Sequence, residues 1–169
     1  MDAIPLPGTA KRRLVDAAVH LFETSGYDAV AVTELAAKAG VTTGALYHHF
    51  GSKLGLYLVV RQEMETRLVE RTAGAAAAAG RGRAGVRAAL LVAFDAAVHF
   101  GVCRILAEPV VADRPDPVAA ALRSLLPQRH TAGGAVLAAA WRAALLAVAD
   151  GTPAGTARAS LAYLLPAKA

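Results

Sequence analysis

Two threonines, a glycine, a tyrosine, two adjacent histidines and a lysine fall within one short stretch: Thr42, Thr43, Gly44, Tyr47, His48, His49 and Lys53. Their shared chemistry is hydrogen bonding to anions and to polar edges. Thr43 carries a short hydroxyl and Gly44 no side chain, so the backbone there can approach a surface closely. The Tyr47 phenol is long enough to reach a phosphate, and the two imidazoles offer ring N–H donors. Lys53 falls in the first turn of a helix that Ser52 opens, beside backbone N–H groups that favour an anion. A lysine at that end is unfavourable for the helix itself, and a phosphate placed there would reverse the sign.

The elements needed to present these groups are legible around them. Thr33 is placed to cap a helix carrying Leu35, Ala36 and Ala39 inward, and Gly40 follows where a helix end favours a left-handed residue. Val41 fills the angle. Thr42 then caps a second short helix, Thr43 to His49, with Leu46 and Phe50 toward the core. Upstream, Leu14, Ala17, Ala18, Leu21 and Phe22 recur at helical spacing in a helix that Thr9 opens and Gly26 closes. Two short helices at a tight turn, backed by a third, form a helix-turn-helix. Its second helix enters the major groove of duplex DNA with its N-terminus leading.

Residues 9–55 resemble the DNA-binding domain of the TetR family of bacterial transcription regulators. The resemblance rests on LeuValAspAlaAlaValHisLeuPhe (14–22), GlyTyr (26–27), Thr33, GluLeuAlaAlaLysAlaGlyVal (34–41), LeuTyrHisHisPhe (46–50) and SerLys (52–53). It implies that Thr33, Tyr47, His49 and Lys53 stand at phosphate-holding positions, and Thr43, Gly44 and His48 near base edges. Ala45 departs from the frequent threonine, which removes one hydroxyl contact. The expected fold is all-α: an N-terminal three-helix DNA-binding domain joined by a long helix to an α-helical ligand-binding and dimerisation domain. The boundaries are an arm at 1–8, the DNA-binding domain at 9–52 and an effector-binding and dimerisation domain at 53–169.

Composition sets bounds. Abundant Ala, Leu and Arg with few aromatics argue for helices, and 169 residues suit a small module plus a modest domain. The single cysteine, Cys103, excludes an internal disulfide framework and fits a reducing cytoplasm. The first eight residues have neither a basic flank nor an apolar run, so no secretory signal is read. Residues 1–55 carry five basic and five acidic side chains, so the net charge of +5 lies beyond them and points weakly to nucleic acid. Lys11, Arg12 and Arg13 at the start of the first helix would act on affinity and salt dependence, or form a solvated face.

Beyond residue 53 the pattern is a succession of helices. A long one runs to about Arg71 or Ala79, with 73–80 as a frayed end and a Gly-Arg-Gly-Arg loop after it. Others span about 84–100, 102–108, 117–126, 132–149 and 153–165. The 132–149 helix is apolar all round except for Arg142. Alanine and a central arginine argue against membrane insertion, so the helix is expected to be covered by its own core and by a second subunit. By resemblance, the last two helices form a homodimer interface, which predicts a palindromic operator. A small apolar effector is likewise implied by resemblance, with Phe94, Val98, His99, Cys103, Leu106, Leu137 and Trp141 as candidate lining residues; ordinary core packing is the alternative for each.

Rival chemistries fare worse. Asp95, His99 and Cys103 share one helical face and suggest an acid, a base and a nucleophile, but Gly101 and Val102 interrupt that helix and no oxyanion nest is evident. The histidines His20, His48, His49, His99 and His130, with Cys103, show no His-x3-His or Cys-x2-Cys spacing. No enzyme activity, metal or cofactor is therefore expected. The remaining alternative is a dimeric DNA-binding regulator that senses nothing, its second domain purely structural.

Overall fold

Helix α1 (Ala10–Ser25) starts where the Thr9 hydroxyl accepts the Arg12 N–H at 3.2 Å, and stops at Gly26, whose φ of 82° no β-carbon-bearing residue adopts easily. The computed structural model describes residues 8–80, 82–109 and 115–165, so most of the expected N-terminal arm lies outside the described residues. All regular structure among them is helical. After α1 come α2 (Val32–Ala39), α3 (Thr43–Phe50) and α4 (Lys53–Ala79). These are followed by α5 (Arg83–Phe100), α6 (Cys103–Ala107), α7 (Pro117–Ser124), α8 (Gly133–Ala149) and α9 (Ala154–Tyr163).

The chain forms two units that divide inside α4, between Glu63 and Met64. Sequence reading begins the second domain at Lys53. The first turns of α4 instead bury Leu56, Tyr57 and Val60 in the first unit. Its core is the α1 stripe Leu14, Ala18, Leu21 and Phe22 together with Leu35, Leu46 and Leu56. Burying each leucine or phenylalanine stabilises the unit by roughly 1.5–3 kcal/mol. Phe22, Tyr27 and Tyr57 complete it as an aromatic triangle with ring centroids 4.9–5.9 Å apart. Gly55 marks the closest approach, since a β-carbon there would overlap the Phe50 carbonyl oxygen.

The alanine-rich stretch after Thr72 is not frayed. α4 continues to Ala79 because alanine costs least in a helix, and Ala76 is buried. Gly80 and Gly82, both at positive φ, then turn the chain into α5.

In the second unit α5 buries Val86, Ala89, Leu90, Ala93, Phe94 and Ala97 and packs against α6, α7, α8 and α9. α8 turns Gly134, Ala138, Trp141 and Leu145 inward. Gly134 lets α8 touch α7: a β-carbon would overlap the Ala119 carbonyl oxygen and come within 2.6 Å of the Arg123 β-carbon. Bidentate ion pairs tie helices together. Arg142 donates to both Asp116 oxygens at 2.7 and 2.9 Å, and Arg158 to both Asp95 oxygens at 2.7 and 2.9 Å. Asp116 is also the N-cap of α7, accepting the N–H groups of Val118 and Ala119 ahead of Pro117 in the first turn. The charge inside the apolar α8 sequence is thus neutralised. No helix among the described residues is long and apolar enough to cross a membrane.

Gly134→Ala should lower stability by about 1–3 kcal/mol, the usual cost of overpacking. Gly44→Ala, whose β-carbon would meet only the Thr42 hydroxyl at 3.6 Å, should leave Tm nearly unchanged. Equal melting temperatures for the two variants would refute the close helix contact. A second expectation concerns pH. Burial raises the Asp116 pKa, but hydrogen bonds from Arg142, Ala119 and Val118 outweigh it and hold the carboxyl below its ordinary range. A folded-state pKa below the unfolded one stabilises at pH above the unfolded value, and that stabilisation is lost as pH falls through the folded value. Arg142→Met should therefore lower Tm at neutral pH, with the gap from wild type narrowing as pH falls below the ordinary carboxylate range; a constant gap would contradict it.

Candidate nucleic-acid interface

Eight residues make up α3, and their alternation of burial decides what they present. Leu46 is wholly buried and pins the helix to the first unit, while Phe50 is half-buried at its end. The opposite face carries Thr43, Gly44, Tyr47 and His48 at helical spacing, with His49 beside them. Tyr47 is 53% exposed, and Gly44, His48 and His49 are exposed too. The His48 and His49 rings stand 5.1 Å apart, edge to face, so their donors diverge. Thr42 caps the helix as expected: its hydroxyl accepts the Ala45 N–H at 3.2 Å. Gly40 takes the left-handed conformation (φ 63°, ψ 40°), and the Val41 N–H reaches back to the Ala36 carbonyl at 3.0 Å, which closes the turn between the two helices.

Two expectations change. Thr33 is exposed but is not the cap of α2; the helix starts one residue earlier, at Val32, and Ala31 at the cap position offers no side-chain acceptor. Lys53 does not extend from the first turn of α4 toward an outside anion. Its Nζ donates to the carbonyls of Tyr27 at 2.8 Å and Val30 at 3.0 Å, and lies 4.2 Å from the Tyr27 ring centroid. Burial, helped by the neighbouring Asp28 carboxylate, pushes the Tyr27 phenol up, so the ring meets the ammonium as a neutral π face. Ser52, as expected, opens α4 by accepting the Gly55 N–H at 2.9 Å.

The candidate lining residues of the second unit are dispersed. Phe94, Cys103, Leu106 and Trp141 are buried in the core, Val98 and Leu137 are half-buried, and His99 is exposed. None of the seven lines the cleft of about 630 Å³ in this unit. Its walls are the last turns of α4 (Val69, Thr72, Ala73, Ala76, Ala77), the α4–α5 turn and the α7 end (Ala121, Leu125). Alanine and glycine carry no chemistry to flag, and only their density between 73 and 85 hints at open space. Asp95 is engaged by Arg158 and Cys103 is buried beyond the Gly101 break, so Asp95, His99 and Cys103 form no reacting group.

Residues 14–60 match the family described as bacterial regulatory proteins, tetR family. The transcriptional activator FasR of Mycolicibacterium smegmatis is 39% identical over 95 residues, which cover 56% of this chain and 43% of FasR. The transcriptional repressor AcnR of Corynebacterium glutamicum is 31% identical over 64 residues, 38% of this chain and 34% of AcnR. The matched region thus spans less than half the length of either relative. A TetR-like transcriptional regulator from Rhodococcus sp. RHA1 superposes with a TM-score of 0.68 at 25% identity, covering 96% of both chains. With α3 capped, anchored and exposed as described, the chain is similar to bacterial regulatory proteins of the tetR family over residues 14–60 and shares the fold of a TetR-like transcriptional regulator over most of its length.

Proposed function

We propose that this protein is a sequence-specific DNA-binding regulator, a repressor that a small apolar effector releases from a palindromic operator. The observation that carries the reading is the exposed α3 face, where Thr43, Gly44, Tyr47 and His48 stand over a buried Leu46. Thr43, Gly44 and His48 meet base edges in the major groove, and Tyr47, His49 and Thr33 contact flanking phosphates. Repression is favoured by the likeness to AcnR, although FasR is named an activator.

A homodimer is supported by the outer face of α8. Ala135, Val136, Ala139, Ala143 and Leu146 follow one another at helical spacing and are all exposed, Val136 at 63%. At the end of α9, Tyr163 and the following Leu164 are exposed as well. An unbroken apolar stripe on a helix fits a second copy of itself, and two copies related by a two-fold axis read half-sites about 34–36 Å apart. The cleft walled by α4 falls within the ordinary range for small-ligand sites, about 300–1,000 Å³. Its lining of alanine, valine and leucine, with Thr72 as a polar handle, suits an apolar molecule. α4 continues from the cleft into the first unit, so a ligand that favours one setting of this helix would change operator affinity through that difference.

Footprinting on the DNA upstream of the chain's own coding region should reveal a two-fold symmetric site. Tyr47→Ala should weaken binding about tenfold on every sequence, whereas Thr43→Ala should shift preference at one base pair per half-site by about 1–3 kcal/mol. Uniform weakening from Thr43→Ala would overturn the groove assignment. Val136→Glu should convert a dimer to a monomer in light scattering and abolish operator binding. In a thermal-shift screen, an apolar compound that raises Tm should also lower operator affinity, and Ala76→Leu should block both effects. If no compound does so, the second unit is structural only.

A further inference from the structure

Lys53 spends its ammonium on two backbone carbonyls of the first unit, and these partners flank the helix-turn-helix. Tyr27 and Val30 precede α2, and Lys53 follows α3, so the ammonium joins positions 26 and 23 residues away in sequence. Everything between these contacts is the reading unit: α2, the Gly40 turn and α3. We infer that Lys53 is a positioning residue, a clasp that holds the two ends of the helix-turn-helix together and so sets the pose of α3, and not a phosphate contact.

Three physical points support the assignment. A lysine in the first turn of α4 faces the positive end of that helix and needs nearby negative charge, which the two carbonyl oxygens provide. An ammonium has three donors; two are used at 2.8 and 3.0 Å, and the Tyr27 ring fills the adjacent space at 4.2 Å. Tyr27 in turn belongs to the Phe22–Tyr57 aromatic triangle, so the clasp is anchored to the core of the first unit. By contrast, Tyr47, the phosphate-reaching group on α3, is more than half exposed.

The inference rests on the DNA-binding reading only for its consequence, and the tests separate the two. The first uses free wild-type protein. Amine acylation followed by peptide mass spectrometry should find Lys53 at least about tenfold less reactive than the exposed Lys38, and operator DNA should not change the Lys53 rate. A Lys53 that is reactive in free protein, or protected only once DNA is added, would overturn the clasp even if operator binding is confirmed. The second uses Lys53→Met at a temperature where circular dichroism shows it folded. Operator affinity should fall about tenfold, the worth of one charge-assisted hydrogen bond. The slope of log K against log salt should stay that of wild type, and Lys53→Arg should recover part of the loss. A slope reduced by about 0.9 for each protomer would mark a direct phosphate contact. Unchanged affinity in a folded variant would show that the bond steadies the fold without setting α3. Either result refutes the assignment. If Lys53→Met does not fold, the acylation rates decide the question alone.

Discussion

An isolated helix of eight residues does not persist in water, because nucleation costs more than so few hydrogen bonds return. α3 is that short, and its stability comes from outside itself: Leu46 sealed in the core, Thr42 closing the first turn, and the chain ends on either side held in register. The demand is sharper than for an ordinary surface helix. A helix that exposes most of its side chains keeps few with which to anchor itself. One leucine bears most of the burial, and the surroundings supply the rest of the constraint.

This division of labour explains what was legible in the chain. Thr42, Gly40, Gly26 and Thr9 act on neighbours within four residues, and each does in the structure what its type and position imply. Thr33 misleads because a threonine in the first turn of a helix resembles a cap; Val32 is already helical, and burial of Leu35 and Ala36 sets where α2 begins. For Lys53, the need for negative charge was readable, but its actual source lies in the loop between α1 and α2, a partner that no local pattern reveals. The cleft escaped notice for a different reason. Side chains with a polar edge draw the eye as ligand contacts, yet Trp141 is consumed by the core, while the open space is bounded by residues too small to fill it.

The second unit shows what an alanine-rich composition does physically. Small side chains bring helix axes close, as Gly134 does between α7 and α8, and leave little apolar bulk to lock orientation. Bidentate arginine–carboxylate pairs take over part of that task, because their planar geometry fixes direction as well as distance. Asp116 combines both functions by ending α7 and receiving Arg142 from α8. The same small residues that permit close packing also fail to fill the space beside α4, so tight contacts and a cleft arise in one unit from one compositional bias.

Trp141 is the chain's single tryptophan, and it is enclosed in the second unit with an indole N–H that meets no hydrogen-bond partner among the described residues. Three of the four tyrosines, Tyr27, Tyr47 and Tyr57, belong to the first unit. The molecule therefore carries its own optical label: light absorbed at the red edge of the aromatic band reports on one half alone. The order in which the halves melt is accessible without attaching a dye.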